Sequence, residues 1–416
     1  MKLISGLGAG FKKGSAAILD QGIVSGTNFI TVILLAKYLG VEGLGKYTLL
    51  WLAVLFVHSL QLGFIISPMQ NLSAKFKENN HDDYFSSMLF IQILFTLIAS
   101  LCSGVFAYLT FGFQFVFPLM ISVAGYTMNE YMRRYFFIKQ KMNRALLIDI
   151  TNNSLQLAVL IFFWLYLKTD VAVVLYIIGT LYCFTGLLGL FFYNKIKINL
   201  RFTFKIFYDQ LKFSGWLIGT SLMQWFAGNY VLVIAGAIAG NLVLGIVRIV
   251  QNIMGLFHVL FLVLENHLPQ KASFIFHEQG KEKLFSFMKK VALYAGLVFF
   301  LLLLAVACTS KYIIFLIYGL NDPIYSLMLQ AFCPLYVLIF FGNPLRFTLL
   351  AQGLTNHVFI GNFLAVLFNL TCSALLVKSL GVWGVVVVLG ISQLLMQFWY
   401  VVAITFKINF SWKLFT

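Results

Sequence analysis

Charged residues are scarce in this 416-residue chain, and acidic ones are the scarcest. Only 10% of the residues are Asp, Glu, Lys or Arg, whereas a soluble protein carries about 25%. The chain also has only five cysteines, and their spacing is not that of a metal site. It contains no His-Glu-x-x-His motif and no Ser-His-Asp order. We therefore expect neither a soluble domain nor an enzyme, and we predict no catalytic residue, no metal ligand and no cofactor.

A nucleotide site is also lacking, although one segment comes close to it. Gly40-Val-Glu-Gly-Leu-Gly45-Lys46 has most of a phosphate-binding loop, but Tyr47 follows where Ser or Thr should hold magnesium. No predicted strand precedes the segment. We interpret it as a tight turn between two helices, where glycine supplies backbone freedom. ATP is therefore not expected as a partner.

Long apolar runs fill most of the chain, and 61% of its residues are hydrophobic. Runs of about 20 residues are long enough to cross a bilayer as helices. The pattern predicts an all-α integral membrane protein with about 12 transmembrane helices. The spans are expected at residues 17–39, 45–66, 86–109, 113–131, 150–167, 171–193, 214–238, 242–266, 291–309, 323–343, 358–377 and 382–405.

The positive charge follows the loops between these spans. If the N-terminus is cytoplasmic, the inside segments hold all the lysines and arginines except Lys37, Lys46, Lys168, Arg248, Lys311 and Lys378. Such a bias predicts that both termini are cytoplasmic. It accounts for most of the net charge of +16, so the charge does not indicate a nucleic-acid partner or an anionic cargo.

Two halves of the chain resemble each other at a spacing of about 200 residues. The matching pairs are Gly40 and Gly240, Gly45 and Gly245, His58 and His258, and Pro68 and Pro269. A second match aligns the segment 134–140 with 346–352. We therefore predict an N-terminal six-helix bundle (1–193), a basic amphipathic linker on the inner leaflet (194–213) and a C-terminal six-helix bundle (214–416). Because six is even, their pseudo-twofold axis should run along the membrane normal, as in transporters that alternate access.

Polar residues inside spans are the candidate functional residues, because an ionisable group in a membrane is costly and usually faces a cavity or a partner. In the eighth span they share an arc of about 140° on the helix. This arc contains Arg248, Gln251, Asn252, Gly255, His258, Glu265 and Asn266. It predicts either a surface that binds substrate, with Arg248 contacting an anion, or hydrogen bonds and ion pairs between helices.

Other spans contain further candidates, each with an alternative. In the fifth span Asn152 and Gln156 share a face and suit either sugar hydroxyls or interhelical hydrogen bonds. Asn28 lies on a polar side of the first span. Asp20, on the same side, is either an ion-coupling residue or a stabiliser of the helix N-terminus. His58 and Glu265 are also candidates for ion or proton coupling, although a histidine in a bundle is commonly structural.

A family resemblance rests on two sequence motifs. The stretch Leu34-Leu-Ala-Lys37-Tyr-Leu-Gly40-Val-Glu-Gly-Leu-Gly45-Lys-Tyr47 resembles the ARxLGxxxxGxY signature of polysaccharide-biosynthesis flippases, with Lys37 where that family often has Arg. The segments from Arg134 to Gln140 and from Arg346 to Gln352 resemble their R-x-x-x-x-A-x-G loop motif. Ala351 and Gly353 fit this motif, whereas Lys139 and Lys141 depart from it. These are the O-antigen and capsule repeat-unit flippases of the multidrug/oligosaccharidyl-lipid/polysaccharide exporter superfamily. The length and the six-plus-six repeat agree over the whole chain.

The resemblance implies a flippase that moves an undecaprenyl-diphosphate-linked oligosaccharide from the inner to the outer leaflet of a bacterial inner membrane. The lipid-linked sugar and membrane lipid would be its partners, together with glycosyltransferases and a polysaccharide polymerase. The head group would occupy a cavity between the halves, with Lys37 among the candidate contacts. Two alternatives remain: a cation-coupled multidrug exporter of the same superfamily, or a membrane polysaccharide polymerase or ligase, which usually needs long outer loops.

Overall fold

The chain is almost entirely helical. A computed structural model describes the backbone of residues 2–73, 76, 78–167, 170–193 and 199–408, and the side chains of residues 22–73, 76, 82–167, 170–193, 199–258, 260–261, 264–265 and 267–406. Within the described backbone there is no strand. The chain forms two compact units, Met1–Trp225 and Phe226–Thr416.

The first unit is built from six helices and the beginning of a seventh. They are α1 (Lys2–Gln61), α2 (Ser67–Leu72), α3 (Glu78–Phe111), α4 (Val116–Ile138), α5 (Met142–Tyr166), α6 (Val171–Phe191) and the start of α7 (Leu200–Ile234). Helix α4 packs against α6, α3 and α5. Its contact with α6 is close because a Cβ on Gly179 would lie 2.7 Å from the backbone nitrogen of Ser122. Small residues that let helix backbones touch are the usual means of packing helices in a membrane.

The second unit contains the end of α7 and five further helices. They are α8 (Asn241–Lys290), α9 (Gly296–Tyr318), α10 (Pro323–Ala351), α11 (Thr355–Leu380) and α12 (Val382–Ile408). Helix α10 packs against α8, α9 and α12, and α11 packs against α12. A Cβ on Gly384 would lie 2.3 Å from the carbonyl oxygen of Leu376, so α11 and α12 also meet at their backbones.

This is a multi-pass membrane protein. Ten segments of the described residues are long and apolar enough to cross a bilayer. All 12 predicted spans fall on helices, and the first two of them are joined in α1. Large apolar side chains such as Leu316 (83% exposed) and Phe191 (82% exposed) would be unfavourable in water and suit a lipid environment.

The turn glycines of the two halves have matching backbones. Gly40 interrupts α1 with φ 73° and ψ 174°, and Gly240 precedes α8 with φ 92° and ψ 167°. Positive φ is readily available only to glycine, so both positions need this residue for the turn that joins two helical segments. The interpretation of Gly40–Lys46 as an inter-helix turn agrees with this geometry, and so does the match between the halves.

The second match is shifted by one residue from the predicted alignment. Helix α4 is followed by Gln140 (φ 56°), and helix α10 by Gly353 (φ 73°). In each turn the next residue donates its N–H to the carbonyl five positions earlier: Lys141 to Phe136, and Leu354 to Leu349. Gln140 therefore corresponds to Gly353, and Arg346 corresponds to Arg133 rather than to Arg134. The sequence does not show this alignment, because Gln140 occupies a positive-φ position where glycine is usual.

The division between the units falls inside α7. Residues 200–213, predicted as part of a separate linker, begin this helix, which continues to Ile234. Residues 194–198 of the predicted linker lie outside the described residues. The division into 1–193, 194–213 and 214–416 stays a prediction.

The start of α7 is fastened to the first unit at a proline-containing turn. Pro68 has no N–H for the carbonyl of Phe64 four residues earlier, and a π-helical turn occupies Leu62–Ile66. Gln210 Nε2 and Ser214 Oγ of α7 donate to that carbonyl. Both side chains are buried. They satisfy a backbone group that the proline leaves without its helical partner.

Candidate functional site

A network of charged side chains lies on α4 and α5 of the first unit. Arg133 Nε is 2.9 Å from Asp149 Oδ2, and Arg133 Nη1 is 3.4 Å from Glu130 Oε1. Arg134 Nε is 3.9 Å from the other oxygen of Glu130. The helical spacing i, i+3 and i+4 places the α4 members on one side of that helix. Arg133 and Arg134 together balance the charge of the two carboxylates, and such pairing is what makes ionised groups tolerable inside a bundle.

The predicted amides of α5 are buried and bonded to neighbouring helices. Gln156 Nε2 donates to Thr31 Oγ1 of α1 at 2.9 Å. Asn152 Oδ1 accepts from Thr185 Oγ1 of α6 at 3.3 Å. Asn129 of α4 donates to the same threonine at 2.7 Å. In this conformation the two amides therefore take part in interhelical hydrogen bonds, and their contact with sugar stays a prediction.

Aromatic rings form a cluster next to this network. The ring centroids of Trp51 and Tyr126 are 5.5 Å apart, those of Tyr126 and Tyr182 are 5.2 Å apart, and those of Trp51 and Tyr182 are 6.0 Å apart. The side chain of Asn152 also lies close to the hydroxyl of Tyr182. All three residues are half-buried. We call Trp51, Tyr126 and Tyr182 the aromatic cluster.

His58 has contacts that suit a structural residue. Its Nδ1 lies 3.1 Å from Gln61 Oε1, and its ring meets Tyr126 edge-on at 5.3 Å. Gln61 is fully buried and donates to Gln92 Oε1 at 3.0 Å and to the carbonyl of Thr127 at 2.6 Å. The histidine therefore lies at the end of a polar network that links α1, α3 and α4. Its role in proton coupling stays a prediction.

The remaining candidates of the first unit lie apart from this network. Asn28 and Lys37 are exposed on α1. Lys37 lines a pocket of about 760 Å³ with Trp164, Tyr166 and Asp170. Asp20 is within helix α1, which begins at Lys2, but its side chain lies outside the described residues.

In the second unit the predicted polar arc of α8 is half-buried to exposed. Asn252 Nδ2 donates to the hydroxyl of Tyr318 at 2.9 Å. Arg248 is half-buried and lies near enough to Tyr318 and Tyr336 to interact electrostatically with their hydroxyls. Gln251 is half-buried, and His258 is exposed and meets the ring of Phe261 edge-on. This face of α8 differs from its apolar side, where Val250, Ile253 and Met254 are buried.

Glu265 forms an ion pair with Arg346 of α10. The two side chains are about one-third exposed. The sequence placed Glu265 on the same arc as Arg248, but its partner comes from the helix that contains the equivalent of Arg133. In both units a carboxylate therefore pairs with the arginine that precedes the positive-φ turn. The role of Glu265 in ion coupling stays a prediction.

Sequence reasoning missed the charged network and the aromatic cluster. The spacing Glu130-x-x-Arg133-Arg134 at the end of an apolar span was the available signal, but those arginines were assigned to a loop. Helix α4 continues to Ile138, so they lie within it. The aromatic cluster draws on α1, α4 and α6 and has no local signature. Among the described residues, no group of three His, Cys, Asp or Glu side chains is arranged to hold a metal ion.

A family comparison places the chain in a known group of proteins. The model of a family described as "Polysaccharide biosynthesis protein" matches residues 11–265, which is more than half of the chain. The chain belongs to the polysaccharide biosynthesis protein family. No curated protein sequence matches the chain.

Solved structures of transporters share the fold of this family member. The lipid II flippase MurJ in an inward closed conformation has a TM-score of 0.71 at 15% identity, over 95% of this chain and 87% of that chain. An inward-facing multidrug resistance MATE family transporter of the MOP superfamily has a TM-score of 0.68 at 16% identity, over 92% of this chain and 95% of that chain. A MOP superfamily transporter from Pyrococcus furiosus has a TM-score of 0.52 at 15% identity, over 94% of both chains. The chain therefore has the all-helical fold of these transporters.

Proposed function

We propose that this protein is a flippase for an undecaprenyl-diphosphate-linked oligosaccharide repeat unit of O-antigen, capsule or a related surface polysaccharide. It moves the repeat unit from the inner to the outer leaflet of a bacterial inner membrane by alternating access. The family supports a role in polysaccharide biosynthesis, and the transporter fold supports transport rather than synthesis.

One observation favours this cargo over a cationic drug. Three carboxylates of the helices that pack in the two units are paired with arginines: Glu130 and Asp149 with Arg133, and Glu265 with Arg346. A drug-cation exporter needs carboxylates that can receive a positive charge. Here arginines already pair with these carboxylates, and Arg248 is a further cation suited to a diphosphate.

Physical chemistry explains why a carrier is needed and which direction is favourable. The diphosphate and sugar cannot cross hydrocarbon without polar partners. Outward movement of an anion across an inside-negative membrane is favourable by about 2.3 kcal/mol per charge per 100 mV. Outward movement of the head group therefore does not require proton coupling. The candidate contacts for the head group are Arg248, Gln251, Asn252, His258, Asn28, Lys37, Asn152 and Gln156.

A complementation experiment tests the proposal against the drug exporter. The gene is expressed in a bacterial strain that lacks its own repeat-unit flippase and, in parallel, in a strain that lacks its drug exporters. We expect restored surface polymer in the first strain and unchanged resistance to ethidium in the second. Ethidium resistance without surface polymer would identify a multidrug exporter instead.

A further inference from the structure

The aromatic cluster is unusual for a membrane core because polar groups surround it. The hydroxyl of Tyr126 interacts electrostatically with Glu130, Arg133 and Arg134, and that of Tyr182 with Glu130 and Asp149. A buried tyrosine hydroxyl usually has a polar partner, and here the neighbouring polar groups belong to the charged network. Aromatic residues that join an apolar face to a polar tip are typical of recognition surfaces, where one part of the ligand is apolar and another is wet.

The arrangement of the three rings suits a sugar ring. The centroids of Trp51, Tyr126 and Tyr182 form a triangle with sides of 5.2 to 6.0 Å. A pyranose presents C–H groups of slightly positive potential on its face, and the face of an aromatic ring is negative. The hydroxyls of the sugar point outward from its edge, where the amide and carboxylate groups around the rings can bond them.

Arg134 is the neighbouring cation with the weakest pairing. Arg133 is only 14% exposed and contacts two carboxylates, whereas Arg134 is 35% exposed and its contact with Glu130 is 3.9 Å long. Its buried Nε atom has no hydrogen-bond partner. A guanidinium in this state is available to an anion and can bond two phosphate oxygens at once.

We propose that the aromatic cluster is a subsite of the first unit that stacks on the diphosphate-proximal sugar, while Arg134 contacts the diphosphate. This subsite deepens the flippase function proposed above and rests on it. Tyr126 and Arg134 are eight residues apart on α4, about 12 Å along the helix axis at 1.5 Å per residue. Because the two residues are about two turns apart on one helix, one ligand can contact the rings with a sugar and the arginine with a diphosphate. The subsite thus recognises the chemistry shared by any sugar linked to a polyprenyl diphosphate.

Binding measurements with two lipids separate the two contacts. The purified full chain in nanodiscs is titrated with undecaprenyl diphosphate, either bare or carrying one N-acetylhexosamine. We expect the wild type to bind the sugar-bearing lipid about tenfold more tightly, as one stacked ring contact allows. Trp51→Leu and Tyr126→Leu should bring this ratio to about one, and Trp51→Phe, which keeps a ring, should retain most of it. Arg134→Gln should weaken both lipids equally.

The controls distinguish failure of the subsite from failure of the flippase function. Trp383→Leu removes another accessible tryptophan ring, on α12, and should leave the ratio unchanged. A wild type that binds neither lipid would contradict the flippase function itself. A wild type that binds both lipids equally, or a Trp51→Leu variant that keeps the preference while binding normally, would overturn the aromatic subsite and leave the flippase function standing.

Discussion

Arg133 and Arg346 occupy the same place relative to the turn that ends their helix. Each lies seven residues before the positive-φ residue, Gln140 in one unit and Gly353 in the other, and each binds a carboxylate of another helix. The pairs differ in burial. Arg133 and Asp149 are 14% and 7% exposed, whereas Arg346 and Glu265 are 31% and 37% exposed. The duplicated ion pair is therefore expected to contribute more to the free energy of unfolding in the first unit than in the second.

We expect Arg133→Gln to destabilise the protein far more than Arg346→Gln. Removal of Arg133 leaves Asp149 buried without its cation, which costs about 3–5 kcal/mol in comparable buried pairs. The partly exposed Arg346 pair is screened by solvent and should contribute about 1 kcal/mol or less. Thermal unfolding of the detergent-solubilised variants measures the difference. Equal losses would show that burial does not set the strength of the two pairs.

A close contact between the π-helical turn Leu62–Ile66 and α7 supports a second prediction. A Cβ on Gly63 would lie 2.6 Å from the Cα of Ile218, a backbone atom that cannot rotate away. Gly63→Ala should therefore push α7 off the turn where Gln210 and Ser214 bond the Phe64 carbonyl, and it should lower the unfolding temperature. Gly215→Ala is the matched control, because nothing lies within 4 Å of its Cβ position on α7. Similar unfolding temperatures for both variants would contradict the contact.

The helices were predictable from the sequence because each apolar run is long enough to cross a bilayer and its length can be read directly from the residues. The turn at Gly40 was predictable as well, since a positive φ there requires glycine and its equivalent recurs at Gly240. The register of Arg133 against Arg346 was not, because Gln140 adopts a positive φ that its residue type does not signal.

The hydrogen-bond and ion-pair partners of the polar residues could not be predicted from the sequence, for a different reason. Periodicity shows which residues share a helix face, but it does not show which helix lies opposite that face. Asn152 and Gln156 were identified as a pair, yet Thr185 and Thr31 could be found as their partners only from the packing of α5 against α6 and α1. The pairing of Glu265 with Arg346 is of the same kind.

The distribution of lysine and arginine predicts that both termini are cytoplasmic. A cytoplasm-active reporter fused after Thr416 should be active, and a periplasm-active reporter at the same site should be inactive. Activity of each fusion is compared at equal protein level. A strongly active periplasmic fusion would contradict the predicted topology and the side of the membrane assigned to each loop.

Arg248 offers the most direct test of the substrate path in the second unit. It lies on the polar arc of α8, near the hydroxyls of Tyr318 and Tyr336. If it contacts a diphosphate, Arg248→Lys should retain part of the function, because an ammonium keeps the charge and loses only the bidentate geometry. Arg248→Glu should abolish function, because a carboxylate repels the head group and costs about 4 kcal/mol at 4 Å in a partly shielded site.

The readout for the Arg248 variants is surface polymer in a strain without its own flippase, with membrane levels checked by blot. Lys378→Ala is the control, since Lys378 is an exposed cation in the last turn of α11 and should behave as the wild type does. Because Glu265 already pairs with Arg346, reversal of Glu265 should not rescue Arg248→Glu. Full activity of Arg248→Glu would show that this arginine is not part of the substrate path. Its role would then be to extend to the membrane–water interface on the outer side of the same membrane.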